Sequence, residues 1–333
     1  MRLADIEASL RRIGIDRYLI LLFLTLALAS VLPVRGEAAK VVSSVTFWAV
    51  AVLFFLYGAK LSTESIRDGL LNRRLQLGTL LTTFGLFPLL ALLLSSPARM
   101  LAPALAVGIL YIGSLPSTVQ SSIAFTSLSG GNVAGAICAA SISNIAGVVL
   151  SPLLVSLLLA TSGEAAPGFE AVWKICQQIL LPFILGQFCR RWLFATLARH
   201  KWIVTIFDRG TILLIVYSAF SAGVTSGIWE KLGLHILLLL FGLIVLFLAI
   251  VMAITVLAAR LMRMPREDAL ALFYCGSTKS LATGLPMAGI LFAGQDIALI
   301  VLPLMLYHLI QLVVCALISA RIAELRNQKQ AMA

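Results

Sequence analysis

Acidic side chains are scarce in this chain: 14 Asp and Glu stand against 25 Lys and Arg, and charged residues of both signs fill only 12% of 333 positions, against 61% hydrophobic ones. So little polar material cannot cover a soluble globule, and the composition is that of an integral membrane protein. Stretches of about ten residues that alternate apolar and polar are almost absent, which sets aside an outer-membrane barrel. Runs of about 20 apolar residues recur instead, as a helical bundle requires. The net charge of +11 is spread over the segments flanking those runs, as orientation in a membrane demands, so it implies no nucleic-acid partner.

Other absences narrow the chemistry. The five cysteines (Cys138, Cys176, Cys189, Cys275, Cys315) form no C-x-x-C pair and are odd in number, so they read as free packing thiols and not as disulfides or metal ligands. No carboxylate and no Cys/His cluster lies deep within an apolar run, so neither an enzyme nor a bound cofactor is expected. There is no ATP-binding loop, which argues against a primary pump. No cleavable signal peptide is expected either. Residues 1–16 are instead amphipathic, with Leu3, Ile6, Leu10 and Ile13 on one face, and are expected to lie along the membrane surface.

Hydropathy predicts spans at about 17–33, 41–61, 75–96, 101–128, 131–160, 169–189, 207–228, 232–262, 266–292 and 297–322. With ten crossings and both termini cytoplasmic, 19 of the 25 Lys and Arg residues fall in inside segments. Five (Arg35, Lys40, Arg99, Lys174, Lys231) fall outside, and Lys279 stands alone within a span. That asymmetry supports the topology, in a bacterial inner membrane.

Spans four and nine are interrupted by polar, Gly- and Pro-containing stretches, Gly113 to Ser122 and Gly276 to Pro286. Pro and Gly there free backbone groups that a lipid-facing helix cannot leave unpaired, so both spans read as broken helices. Tyr111-Ile112-Gly113-Ser114 and Tyr274-Cys275-Gly276-Ser277 lie 163 residues apart, and the same offset carries spans two and three onto seven and eight. The fold class expected is therefore an all-α membrane protein. Its ten helices would form two five-helix repeats, residues 17–161 and 169–322, within one transporter domain over 1–333. An odd number of crossings per repeat inverts the second copy, with broken helices four and nine crossing near the midplane.

Lys279 lies near the middle of a stretch of about 30 residues between Arg266 and Asp296. An ammonium at that depth marks a cavity or a partner and is a functional-site candidate; the bland alternatives are snorkelling to an interface or capping a helix end. Ser114, Ser117, Thr118, Gln120, Ser121 and Ser122 would meet Ser277, Thr278, Lys279 and Ser280 where the breaks cross. Singly, such hydroxyls back-bond to their own helix, but a cluster beside two Pro breaks is a candidate site for substrate or ion. Ser141, Ser143 and Asn144 of span five, and Tyr307, His308 and Gln311 of span ten, are a second polar pair expected to face the same core. His308 and Gln311 share a helix face.

At these residues the chain resembles the bile acid:sodium symporter family, specifically its SBF-like branch. The resemblance runs over nearly the whole length, through Ser129-Gly130-Gly131-Asn132-Val133-Ala134 and, most specifically, Phe273-Tyr274-Cys275-Gly276-Ser277-Thr278-Lys279-Ser280-Leu281-Ala282-Thr283-Gly284-Leu285-Pro286. It implies a panel of spans 1, 2, 6 and 7 and a core of spans 3–5 and 8–10 that move against each other in alternating access. It also implies, for sodium-coupled members, a Ser-Asn pair in span four and a Glu followed by Gln in span nine. Here Ser121-Ser122 stand at the first position, no carboxylate stands at the second, and Lys279 lies about where the Gln is expected. A lysine donates but cannot accept, so it cannot ligate sodium. The function expected is secondary transport of a small organic anion, with Lys279 standing in for the cation, attracting the anion or carrying a proton. The alternatives are a sodium-coupled symporter with a rearranged site and a non-transporting membrane regulator. Membrane lipid is the other expected partner.

Overall fold

The computed structural model describes residues 17–60, 72–163, 173, 176–225, 227 and 233–332; the amphipathic stretch expected over residues 1–16 lies outside them. Every regular element among the described residues is a helix. In chain order these are α1 (Arg17–Val31), α2 (Gly36–Lys60), α3 (Arg73–Leu101), α4 (Pro103–Ser114), α5 (Gln120–Ser129), α6 (Val133–Ser162), a π-turn (Cys176–Leu180) that leads into α7 (Leu181–Arg199), α8 (Lys201–Thr225), α9 (Leu234–Leu261), α10 (Arg266–Ser277), α11 (Leu281–Leu291) and α12 (Ile297–Met332). Among the described residues, α2, α3, α6, α9, the Thr205–Thr225 part of α8 and the Ile297–Arg326 part of α12 are each long and apolar enough to cross a membrane.

The fourth and ninth apolar runs are each split, into α4 and α5 and into α10 and α11. Two helices outrun their hydropathy. The sixth run continues as α7 to Arg199, and the tenth as α12 to Met332. Backbone hydrogen bonding does not stop where side chains turn polar, and Ala, Leu, Arg, Glu, Gln and Lys in these extensions are strong helix formers.

Helices α2 and α7 touch backbone to backbone. A Cβ on Gly58 would lie 2.0 Å from the Phe183 carbonyl oxygen, and one on Gly186 would lie 2.0 Å from that of Phe55. Only glycine at both positions permits that approach. Helix α8 packs on α1 and α2, while α4 lies against α3, α6 and α12, and α10 against α3, α5, α6 and α9. Cys138, Cys189, Cys275 and Cys315 are free thiols within this packing.

Three helices start together at one end of the bundle. Asn72 caps α3 through Leu75 N, and Asn132 caps α6 through Gly135 N. The Nδ2 groups of both asparagines donate to Asp268, in the first turn of α10, at 2.8 and 2.7 Å. The Asn132 N–H donates to the Glu267 carbonyl at 2.9 Å. A single carboxylate thus sits among three helix N-termini, whose partial positive charge it complements, and the half-helix α10 is fixed relative to α3 and α6.

Candidate functional site

The two breaks meet. After Ser114 the chain runs extended at Leu115, and after Ser277 it runs extended at Thr278. Ser280 N donates to the Pro116 carbonyl at 2.9 Å, one backbone to the other. Chain without helical hydrogen bonds survives in an apolar bundle only if its polar groups find other partners, and here helices α6 and α12 supply them. Ser117 N donates to Ser143 Oγ at 3.1 Å, and Asn144 Nδ2 donates to the Ser117 carbonyl at 2.8 Å. At the second break Tyr307 Oη donates to the Ser277 carbonyl at 2.8 Å. Gln311 accepts from Lys279 N at 2.8 Å and donates to Lys279 O at 2.9 Å. Thr283 Oγ1 donates to Asn144 Oδ1 at 3.0 Å, and Tyr111 Oη donates to the Gly284 carbonyl.

Gln311 Nε2 also donates to His308 Nδ1 at 2.9 Å. The same Nδ1 lies 3.3 Å from the Lys279 carbonyl, so His308 reaches the break both directly and through Gln311.

Lys279 is wholly buried. Its Nζ donates to the Thr83 carbonyl at 2.9 Å and to the Leu115 carbonyl, and lies 3.8 Å from the centre of the Phe87 ring. Two carbonyls and one ring face occupy the three directions of an ammonium. Each carbonyl is available for a reason. Leu115 follows the C-terminus of α4, the negative end of a helix dipole. Thr83 lies in a π-turn, Thr82–Leu86, where Phe87 N bonds back to Thr82 O, and the next residue, Pro88, has no N–H to offer. Phe87 is itself wedged by Phe247 and Tyr307, with ring centres 5.4 and 6.0 Å away.

Beside the lysine lies a knot of hydroxyls. Thr118, Ser122 and Thr278 form a triangle with oxygen separations of 2.7, 2.8 and 2.9 Å. Ser121 Oγ donates to Thr118 Oγ1 at 2.8 Å, and Ser117 Oγ lies 3.3 Å from Thr278 Oγ1, which donates to the Tyr274 carbonyl at 2.8 Å. These are uncharged oxygens, the ligand type of hard cations and of water.

Of the residues singled out in the sequence, Ser117, Thr118, Ser121, Ser122, Asn144, Thr278, Lys279, Ser280, His308 and Gln311 converge on this crossing. Ser114 and Ser277 are buried there too, but their hydroxyls bond back to Tyr111 and Phe273 of their own helices. Gln120 is exposed, and Ser141 is half-buried outside the network, the break being met by Ser143. Thr83 and Phe87 join the site unannounced by sequence, and Tyr111 and Thr283 join it from the motif and the break already quoted, where they carried no role; Pro88, within the third apolar run, is the available sign of a freed carbonyl. Helix α3 adds one more feature. Gln76, Thr79 and Thr83, at helical spacing on one face, are buried with side-chain polar atoms that have no protein partner among the described residues.

The chain is similar in sequence to named transporters. The chain is 46% identical over 317 residues to an uncharacterized protein of Pseudomonas aeruginosa, covering 95% of each. It is 44% identical over 319 residues to YfeH of Escherichia coli, a symporter by name, covering 95% of this chain and 96% of the other. Rat sodium/bile acid cotransporter 7 is 29% identical over 281 residues, covering 83% and 82%. Residues 16–324 match the SBF-like CPA transporter family, and the chain belongs to it.

Proposed function

We propose that the chain is a secondary transporter of a small organic anion, working by alternating access with Lys279 as a built-in cation in place of a coupling sodium ion. The observation that carries this reading is the ammonium itself. It is fully buried, held by carbonyl oxygens of α3 and α4 and by the Phe87 ring, and among the described residues no carboxylate pairs with it. Carbonyl oxygens around a cation are what a sodium site offers, and here the cation is covalently part of α10–α11. A buried charge without a counter-ion costs stability that an apolar side chain of similar size would not, so it is kept for what it does.

In this reading the fold is two inverted five-helix repeats, residues 17–161 and 169–322, with both termini cytoplasmic in a bacterial inner membrane. Helices α1, α2, α7 and α8 move as a panel against the rest. The anion binds near the crossing when that movement opens it, and Lys279 supplies the opposite charge, with protonation of the amine available to couple transport to a proton gradient.

The test is uptake by purified protein in liposomes, with cholate and a set of short carboxylates as labelled probes, under a proton gradient or a sodium gradient. Uptake that runs without sodium supports the reading, and strict sodium dependence overturns it. The hydroxyl knot at Thr118, Ser122 and Thr278 favours one second reading, a sodium-coupled symporter with a rearranged site, which the same assay separates. A chain that moves none of the probes under either gradient would fit a non-transporting membrane regulator.

A further inference from the structure

A cavity of about 310 Å³ lies between α9, α10 and α12, away from the crossing. Its walls are almost wholly apolar, with Val256 from α9, Leu270 and Phe273 from α10, Ile318 from α12 and the aliphatic stems of Arg260 and Arg266, two residues that are otherwise exposed. The outer faces of the same helices carry exposed Leu257, Leu261 and Leu317, so the cavity opens among side chains suited to hydrocarbon. Among the described residues neither Arg260 nor Arg266, nor Arg263 in the turn between them, is ion-paired. Glu267 is the nearest acidic neighbour in sequence that is not already engaged, because Asp268 is held by Asn72 and Asn132. Positive charge is in excess at this end. Arg263 adopts a left-handed backbone, φ 49°, at a position that glycine fills more easily. An arginine is thus kept in the turn at some conformational cost.

A soluble anion would gain nothing from the apolar walls, and a neutral hydrocarbon would make no use of the exposed arginines whose stems form part of them. One molecule that satisfies both parts is an amphiphile with an anionic head. Arginine pairs phosphate with two parallel hydrogen bonds, and basic pockets between membrane helices on the cytoplasmic side suit anionic phospholipid. We propose that this cavity binds an anionic phospholipid, its phosphate on Arg260 and Arg266 and part of an acyl chain against Leu270, Phe273 and Ile318. The inference rests on the reading of this end of the bundle as cytoplasmic. It gives the lipid a role as well as a seat, because α10 ends at Ser277, where the Lys279 crossing begins. A lipid wedged along α10 supports the half-helix that carries the site.

The experiment is thermal unfolding of the full-length protein in mild detergent, with added phosphatidylglycerol, phosphatidylcholine of the same acyl chains, or glycerol phosphate. The expected result is a melting temperature raised by several degrees with phosphatidylglycerol, less with phosphatidylcholine and not at all with glycerol phosphate, since only ligands of the folded state stabilise it. The R260Q/R266Q variant should melt like the parent without lipid and lose the preference for the anionic headgroup. Ala269→Phe, which fills the cavity and leaves both arginines, should lose the response as well. Equal shifts with both lipids, a shift with glycerol phosphate alone, or full headgroup preference in either variant would overturn the proposal. None of these outcomes bears on uptake, so the transport reading stands or falls separately.

Discussion

Gln311 treats Lys279 as a strand treats its neighbour. Its amide oxygen accepts from the Lys279 N–H at 2.8 Å and its amide nitrogen donates to the Lys279 carbonyl at 2.9 Å, so one side chain completes both backbone groups of a residue that has left its helix. The lysine backbone is held by α12 while its ammonium is held by α3 and α4. Helices distant in sequence therefore converge on a single residue.

Replacing Gln311 with Leu keeps the volume and removes both bonds. Each buried backbone group left alone costs about 1–3 kcal/mol, so Gln311→Leu should lower the unfolding free energy by several kcal/mol. Gln311→Glu retains the acceptor and should lose less. Denaturant or thermal unfolding in detergent reads the difference; a Leu variant as stable as the parent would mean that water replaces the amide.

Asp268 should matter to the fold and not directly to transport. It receives charge-assisted bonds from Asn72 and Asn132, each of which also caps its own helix. Such bonds are worth about 1.5–3 kcal/mol each, and Asp268→Ala should cost on the order of the two together. Thermal unfolding in detergent checks this, and an Asp268→Ala variant that melts with the parent would show that water takes the place of the carboxylate.

The hydroxyl knot separates the two transport readings. Thr278→Val preserves shape but removes the oxygen shared by Thr118, Ser122 and Ser117. If Lys279 is the working cation, sodium should not shift the melting temperature of the parent, and the variant should lose about 0.5–1.5 kcal/mol per net hydrogen bond. A sodium-dependent shift in the parent that vanishes in Thr278→Val would favour the sodium-coupled alternative.

Much of this was legible in the chain itself. Apolar runs located the helices, Gly and Pro located the two breaks, and a lone ammonium between Asp268 and Asp296 located the centre. What stayed hidden depends on contacts rather than composition. Hydropathy ends at the last apolar residue, so the polar continuations of α7 and α12 were missed. Whether Ser141 or Ser143 faces the break is a question of helix phase on an element that is apolar almost all round. The carbonyl of Thr83 joins the site only because a π-turn and Pro88 release it together, and no residue type signals a freed carbonyl 196 positions from the lysine that takes it.

Lys279 itself decides between function and capping. Lys279→Met removes the charge and the donors, whereas Lys279→Gln removes the charge and keeps an N–H donor on a side chain one bond shorter. Losing the ammonium leaves the Thr83 and Leu115 carbonyls without it, a cost of about 1–3 kcal/mol each. The loss also relieves a buried charge, whose effective burial penalty is several kcal/mol. The two nearly cancel, so both variants should melt close to the parent while uptake of the anionic probes is abolished. If Lys279→Met destabilises strongly and Lys279→Gln restores the loss, the lysine is a cap on the ends of broken helices. Uptake retained in the Met variant, with an unchanged response to pH, would make it a bystander and remove the basis for the built-in cation.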